Sequence, residues 1–312
     1  MRTILKMGGG APASALVLVV LVVAVASLAA CSSGVGARRS GRISVVAAEN
    51  FWGSIAKQIA GAAADVSSVI SNPATDPHDY EPTAEDARAI AGSTLVIENG
   101  VGYDPWMRQL VAADGSARPA VLDVGKLLGI RDGGNPHQWY SRAAVGRVIT
   151  RVAADLEAAD PKHRSVYRHN ERELVGSGFA EYDALIAHIR ATYSGTPIGA
   201  SESIVTPLAE TLGLDLVTPP KFLDAVAEGN DPAASDKATA DRQVQQHQIK
   251  VLLFNSQNST PDVQRLVDEA RRARIPVATI TETLTPANAT FEAWQVGELR
   301  ALSNALAQAT GR

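Results

Sequence analysis

Apolar residues along the chain follow two alternating rhythms. Short runs rich in Val, Ile and Leu, bounded by Gly, Pro, Asn or Ser, read as buried strands. Between them, apolar positions recur at helical spacing. "RISVVAA", from Arg42, is the first strand, and "FWGSIAKQIAG" after it is a helix with a glycine stop. "VSSVI" predicts a second strand, "TAEDARAIAG" a helix with a Thr cap and early acids, and "STLVIENG" a third strand. "DPWMRQLVAA" and "AVLDV" continue the alternation. Repeated strand, helix, strand means a mainly parallel sheet with helices on both faces.

The middle of the chain breaks this rhythm. A helical stretch runs from Ala143 to Ala159, and Asp160-Pro161 opens another that continues to Tyr193. Gly176 and Gly178 weaken the centre of that second stretch and give it a place to bend, within one long helical connector. The alternation then resumes with "TPIGA", "LDLV", "KVLLFN" and "IPVATI" as strands separated by helical patterns, and closes on a terminal helix. The expected architecture is α/β, with two mainly parallel-sheet lobes, a long interlobe helix and a ligand cleft between the lobes. By residue, this divides into an N-terminal lobe over 42–160, a connecting helix over 161–193 and a C-terminal lobe over 194–312.

The N-terminus belongs to neither lobe. Arg2 and Lys6 precede an uncharged apolar run ending in small residues, which is the form of an export signal. The run closes on Leu28-Ala29-Ala30-Cys31, which resembles a bacterial lipobox, so residues 1–30 are expected to be a signal peptide and Cys31 a lipidated first mature residue. The alternative is a single transmembrane anchor, because the apolar length is near the spanning minimum. Cys31 is the only cysteine, so no intramolecular disulfide can form. The small, polar, basic stretch over 31–41 reads as a flexible tether to the outer face of a membrane. Removing residues 1–30 takes away two basic and no acidic side chains, which moves the net charge from −4 to −6. A mildly acidic chain without clustered Lys and Arg argues against nucleic acid as a partner.

In open α/β sheets, ligands bind beyond the carboxyl ends of strands. His78 lies in the loop after the second strand, in "DPHDY"; His137 lies in "GGNPHQWY", between the first sheet and the helix leading to the connector. Glu202 stands just beyond "TPIGA" and Glu282 just beyond "IPVATI". Two histidines from one lobe and two carboxylates from the other could close around a cation. Each histidine follows a proline, which fixes φ and limits backbone relaxation, as suits ligands that must be placed accurately. His163, His169 and His188 fall on the connector and His247 in a Gln-rich helix, and all four read as surface residues.

These same stretches carry a family resemblance. "DPHDYEPTAEDARAIAGSTLVIENGVGYDPWMRQL" resembles the first signature of the metal-binding solute receptors of bacterial ABC importers, the zinc and manganese group. "NPHQWYSRAAVGRVITRVAADLEAADPKHRSVYRHN" is similar to the second signature, "SESIVTPLAETLGLDLV" to a third region and "TETLTPANATFEAWQVGELRALSNAL" to the last. The likeness runs from about Arg42 to Ala307. It implies that His78 and His137 are the first two ligands and that Glu202 is the third, a position held by His or Glu in the group. Glu282 falls where the group usually has Asp, and Asn135 where it usually has Asp at the start of the second signature. The histidine-rich loop of many zinc receptors is missing.

The resemblance implies an extracytoplasmic, lipid-anchored monomer that captures one divalent transition metal between its lobes. Delivery would be to a membrane permease and its ATPase. Two imidazoles and two carboxylates make a mixed nitrogen and oxygen site that accepts Zn²⁺ or Mn²⁺, with Fe²⁺ behind them. A long helical connector implies small lobe movements on loading. The competing expectations are a secreted metallohydrolase and a metal-binding surface adhesin. Against the hydrolase, all four candidates are spent as ligands, and neither a His-Glu-x-x-His helix nor a nucleophile elbow is present. Ser201, Ser203 and Thr206 lie near the site, with no histidine left to activate a serine.

Overall fold

Among the described residues, eight strands form two separate four-stranded sheets, and every strand pairing is parallel. The computed structural model describes residues 1, 3, 41–73, 75, 77, 80–113, 119–131 and 133–312. The expected signal peptide, tether and lipidated Cys31 therefore lie outside the described residues. Ile43–Arg312 form one compact unit. No helix among the described residues is long and apolar enough to cross a membrane.

The first sheet contains β1 (Ile43–Glu49), β2 (Ala64–Ile70), β3 (Leu95–Glu98) and β4 (Ala120–Asp123), in the order β2-β1-β3-β4. Between them run α1 (Asn50–Ala60), α2 (Ala84–Ala91) and α3 (Pro105–Ala113), and α4 (Val124–Leu128) follows β4 directly. The start of α2 is set locally. The Thr83 hydroxyl accepts from the Asp86 N–H while the Asp86 carboxylate accepts from the Thr83 N–H, so two donors that the first turn would leave unpaired are satisfied.

The second sheet contains β5 (Pro197–Ala200), β6 (Asp215–Leu216), β7 (Val251–Asn255) and β8 (Val277–Ile280), in the order β6-β5-β7-β8. Its helices are α8 (Val205–Leu212), α9 (Pro220–Ala227), α10 (Ala234–Gln245), α11 (Pro261–Arg272) and α12 (Phe291–Thr310). In each sheet the chain departs to one side and returns to the other of a central pair, β1/β3 or β5/β7. Such a reversal opens a crevice at the carboxyl ends of the strands.

Between the sheets lie α5 (Arg142–Ala159), α6 (Arg164–Glu173) and α7 (Ala180–Tyr193). The last two are joined through Leu174–Gly178, a single π-helical turn that holds both glycines of the connector. The glycines leave that turn without side chains that would resist the wider winding.

One apolar core runs through both sheets and the helices between them. Its middle is an aromatic seam. Phe51 of α1 stacks on Trp139 with ring centroids 4.1 Å apart, Tyr140 lies 5.8 Å from Trp294 of α12, and Phe179 stacks on Phe291 at 5.9 Å. Apart from Trp294, at 2 %, these rings are wholly buried. Rings that fill the space between lobes resist hinge opening, since separating them exposes large apolar areas to water.

Candidate metal centre between the lobes

The site is built from residues at and beyond strand ends. β1 and β3 finish in Glu49 and Glu98, and β4 in Asp123. β5 leads into Ser201-Glu202, β7 ends in Asn255, and β8 leads into Thr281-Glu282. His137 precedes a 3-10 turn at Gln138–Tyr140, where the buried Trp139 and Tyr140 pin the backbone into the seam.

One nitrogen of His137 and one oxygen each from Glu202 and Glu282 lie within 4.8 Å of one another. All three side chains are buried, at 0, 0 and 3 % exposure. Ligand atoms about 2.1 Å from a tetrahedral ion sit about 3.4 Å apart, so small side-chain rotations would bring this trio into a first coordination shell. His78 lies outside the described residues, but the start of its loop is tied to the site. Gln257 Nε2 donates to the carbonyl oxygen of Pro73 and, at 2.8 Å, to Thr283 Oγ1. Its Oε1 accepts from the N–H groups of Glu282, at 2.5 Å, and Thr283, at 3.0 Å. One amide thus fixes the backbone beside Glu282 to the loop that carries His78.

A second layer of amides and one phenol orients the carboxylates. Asn255 Nδ2 donates to Glu202 Oε1 at 2.7 Å and to Glu282 Oε1 at 2.9 Å, bridging the pair. The other oxygen of Glu202 accepts from Asn258 Nδ2 at 2.6 Å, and that of Glu282 from the Tyr103 hydroxyl at 2.6 Å. Asn255 is itself held, because its N–H donates to Ser201 Oγ and its Oδ1 accepts from the Gln257 N–H, both at 3.0 Å. Hydrogen bonds of this kind fix the orientation of both carboxylates and compensate in part for their burial.

Asn135 explains its own departure from the acid of the related signature. Its Nδ2 donates across the cleft to the Ser203 carbonyl at 2.7 Å, which fixes the amide's orientation and turns Oδ1 towards His137. That oxygen accepts from the His137 N–H at 2.9 Å and faces Nδ1 at 2.8 Å. Since Oδ1 can only accept, Nδ1 donates to it, which leaves Nε2 as the ring atom that would meet a metal. An aspartate could accept from the ring but could not donate to Ser203.

Tyr103 is placed by an unusual turn. Gly100, Val101 and Gly102 all adopt positive φ, at 72°, 57° and 82°. Asp104 closes the turn by accepting from the N–H groups of Asn99 at 2.6 Å and Gly100 at 2.8 Å. A β-branched residue in this region is strained, and such strain concentrates where a loop must deliver one side chain accurately. Nearby, Glu49 is wholly buried. Burial first, then the charge of Asp104, pushes its carboxyl well above the usual range. Asp104 is likewise pushed up to about 6, chiefly by burial.

Sequence reasoning singled out His137, Glu202 and Glu282, and these converge. It did not pick out Tyr103, Asn255, Gln257 or Asn258. The signal for the last three was the run "NSQNS" at the carboxyl end of a buried strand, where the switch-point rule expects ligand-facing groups. Of the histidines set aside, His169, His188 and His247 are exposed, and His163 is half-buried against Asp160 at 2.6 Å.

Two parallel-sheet lobes with buried nitrogen and oxygen donors between them define a candidate metal-binding fold, and the comparisons agree. Residues 45–305 match the model of the ZnuA family, the periplasmic component A of zinc-uptake complexes, and the chain belongs to that family. It is 31% identical over 169 residues to the metal ABC transporter substrate-binding lipoprotein FimA of Streptococcus parasanguinis, covering 50% of this chain and 54% of that one. With the manganese ABC transporter substrate-binding lipoprotein PsaA of Streptococcus mitis it shares 32% over 162 residues, 47% of this chain and 52% of that one. The chain thus spans about half the length of these curated relatives. A periplasmic metal-binding protein from Candidatus Liberibacter asiaticus superposes with a TM-score of 0.71 at 20% identity, over 85% of this chain and 100% of that one. That likeness establishes the two-lobe α/β fold.

Proposed function

We propose that this chain is the extracytoplasmic receptor of a metal ABC importer. It captures one Zn²⁺ or Mn²⁺ ion between its lobes and hands it to a membrane permease driven by its ATPase. The ligands are His78, His137, Glu202 and Glu282, and a lipid on Cys31 holds the monomer at the outer face of the membrane. The connecting segment over 161–193 joins lobes over 42–160 and 194–312. The observation that carries this reading is the buried convergence of His137, Glu202 and Glu282 from three separate loops. Membership of a zinc-uptake family and likeness to a manganese lipoprotein support both ions.

The chemistry follows from the donors. Free of cargo, the two carboxylates are held by shared amide protons; a divalent ion supplies the positive charge that those dipoles only approximate. Selectivity rests on geometry and supply, because intrinsic affinity favours zinc over manganese at any such donor set. Glu282 reaches one methylene further than an aspartate would, which lets it meet the ion while still accepting from Tyr103. The bound ion biases the lobes only by its different affinity for their two arrangements, and the seam keeps those arrangements close.

The test is metal content and competitive calorimetry with Zn²⁺ and Mn²⁺ on the protein and on His78→Ala and Glu282→Ala. One ion per chain is expected, with affinity lower by at least about tenfold in each variant. Failure to bind either ion, or turnover of generic ester, phosphoester or peptide substrates by loaded protein, would replace the receptor reading with another.

A further inference from the structure

A buried site needs a way in, and one side of the cleft is open. A cavity of about 830 Å³ is lined by His137, one of the three donors, and by Tyr103, which bonds Glu282. Tyr103, Asn135, His137 and Ser203 border it on the site side, while α8 and α9 form its outer wall. Its charged lining, among the described residues, is Glu210, Asp224 and Glu228, all three at least partly exposed, with no Lys or Arg. An octahedral hydrated ion carries six waters of about 30 Å³ each, so the cavity admits the ion with its shell.

The three acids are placed at a cost to the free protein. Asp224 and Glu228 are four residues apart near the carboxyl end of α9, where like charges repel and the helix dipole is already negative. Neither they nor Glu210 belongs to an ion pair among the described residues. Among the described residues, the Glu228 carboxylate accepts one hydrogen bond, from the neutral Asn230 at 3.2 Å. Asp224 is held above the usual carboxylate range by burial first and then by Glu228.

Resting on the receptor reading above, we infer that divalent cations reach the buried donors through this cavity, drawn by the field of Glu210, Asp224 and Glu228. The acids act at a distance, and the ion is ligated only further in. A low-dielectric cleft lined by one sign of charge concentrates counter-ions and raises association rates by about 10- to 1,000-fold.

Trp139, whose ring centroid lies 5.2 Å from that of His137, is a built-in reporter for stopped-flow mixing of metal-free protein with Zn²⁺ or Mn²⁺. Neutralising the rim with Glu210→Gln, Asp224→Asn and Glu228→Gln should slow association about tenfold at low salt and flatten its salt dependence, with one ion still bound. Neutralising Glu173, Glu181 and Asp268, exposed acids away from the cavity, should change the rate by less than about twofold. Filling the cavity with Ala227→Trp should slow association and dissociation together and leave the equilibrium constant in place. Normal association in both the rim and the filled variants would overturn the route and send the ion past the His78 loop instead. No uptake by the unmodified protein would overturn the receptor reading, and the route with it.

Discussion

Replacing Asn255 by alanine removes a group that bonds both carboxylates. Its amide makes two charge-assisted hydrogen bonds, 2.7 and 2.9 Å long, in a side chain with no exposure. Bonds to charged groups contribute about 1.5–3 kcal/mol each, so the two together are worth about 3–6 kcal/mol. Water entering the vacated space recovers part of this, which sets the expected loss at the lower end, about 3 kcal/mol. For a chain of this size, that lowers the melting temperature of metal-free protein by about 6–12 °C. Metal affinity should fall by about 10- to 100-fold, the usual cost of losing a partner that orients a ligand. Scanning calorimetry with and without Zn²⁺, paired with titration calorimetry, reads both quantities. A melting temperature within about 1 °C of the parent, or tighter binding in the variant, would refute the positioning role; the latter would mean that the amide competes with the ion.

Three further outcomes are expected. Tyr103→Phe loses the 2.6 Å bond across the cleft to Glu282, and urea unfolding should report a loss of about 1.5–3 kcal/mol. Glu298 is partly buried and pushed up to about 7, mainly by desolvation, although it accepts from Tyr140, Thr281 and Trp294. Below its unfolded value of 4.5 it is neutral in both states, and from there to about 7 only the unfolded chain ionises. Stability should therefore fall as pH rises through that window, by up to about 3 kcal/mol, and Glu298→Gln should flatten the slope in a pH series of denaturation curves. Gly125→Ala would place a Cβ 2.4 Å from Val101 Cγ2. It should cost about 1–3 kcal/mol by thermal denaturation through overpacking of an already strained turn.

The strands were legible because each is a short apolar run between turn residues, and parallel strands buried on both faces show little else. The Thr83 cap was legible for the same local reason. The helix at Pro220–Ala227 was not, since "KFLDAVAEG" is one brief turn pattern following two prolines, and its role depends on a cleft that no local pattern reveals. Glu202 and Glu282 were found as charges at strand ends. Asn255 and Tyr103 were not, because an amide and a phenol become informative only when folding brings a carboxylate within 3 Å of each, as the 2.6–2.9 Å bonds here do. The π-helical turn has an intermediate status. The two glycines marked a weak point in the connector, while the winding it adopts depends on how α6 and α7 pack on either side.

The packed rings running from Phe51 through Trp139 and Tyr140 to Trp294 leave the molecule without a plane along which it could come apart. Either half, cut free in the connector, would present tryptophans to water with nothing to cover them. Melting should accordingly be a single event, and protection conferred by an ion at the edge of this seam should extend to peptide bonds far from it. A protease would then find a metal-loaded chain resistant along its whole length, and a metal-free one vulnerable as a unit.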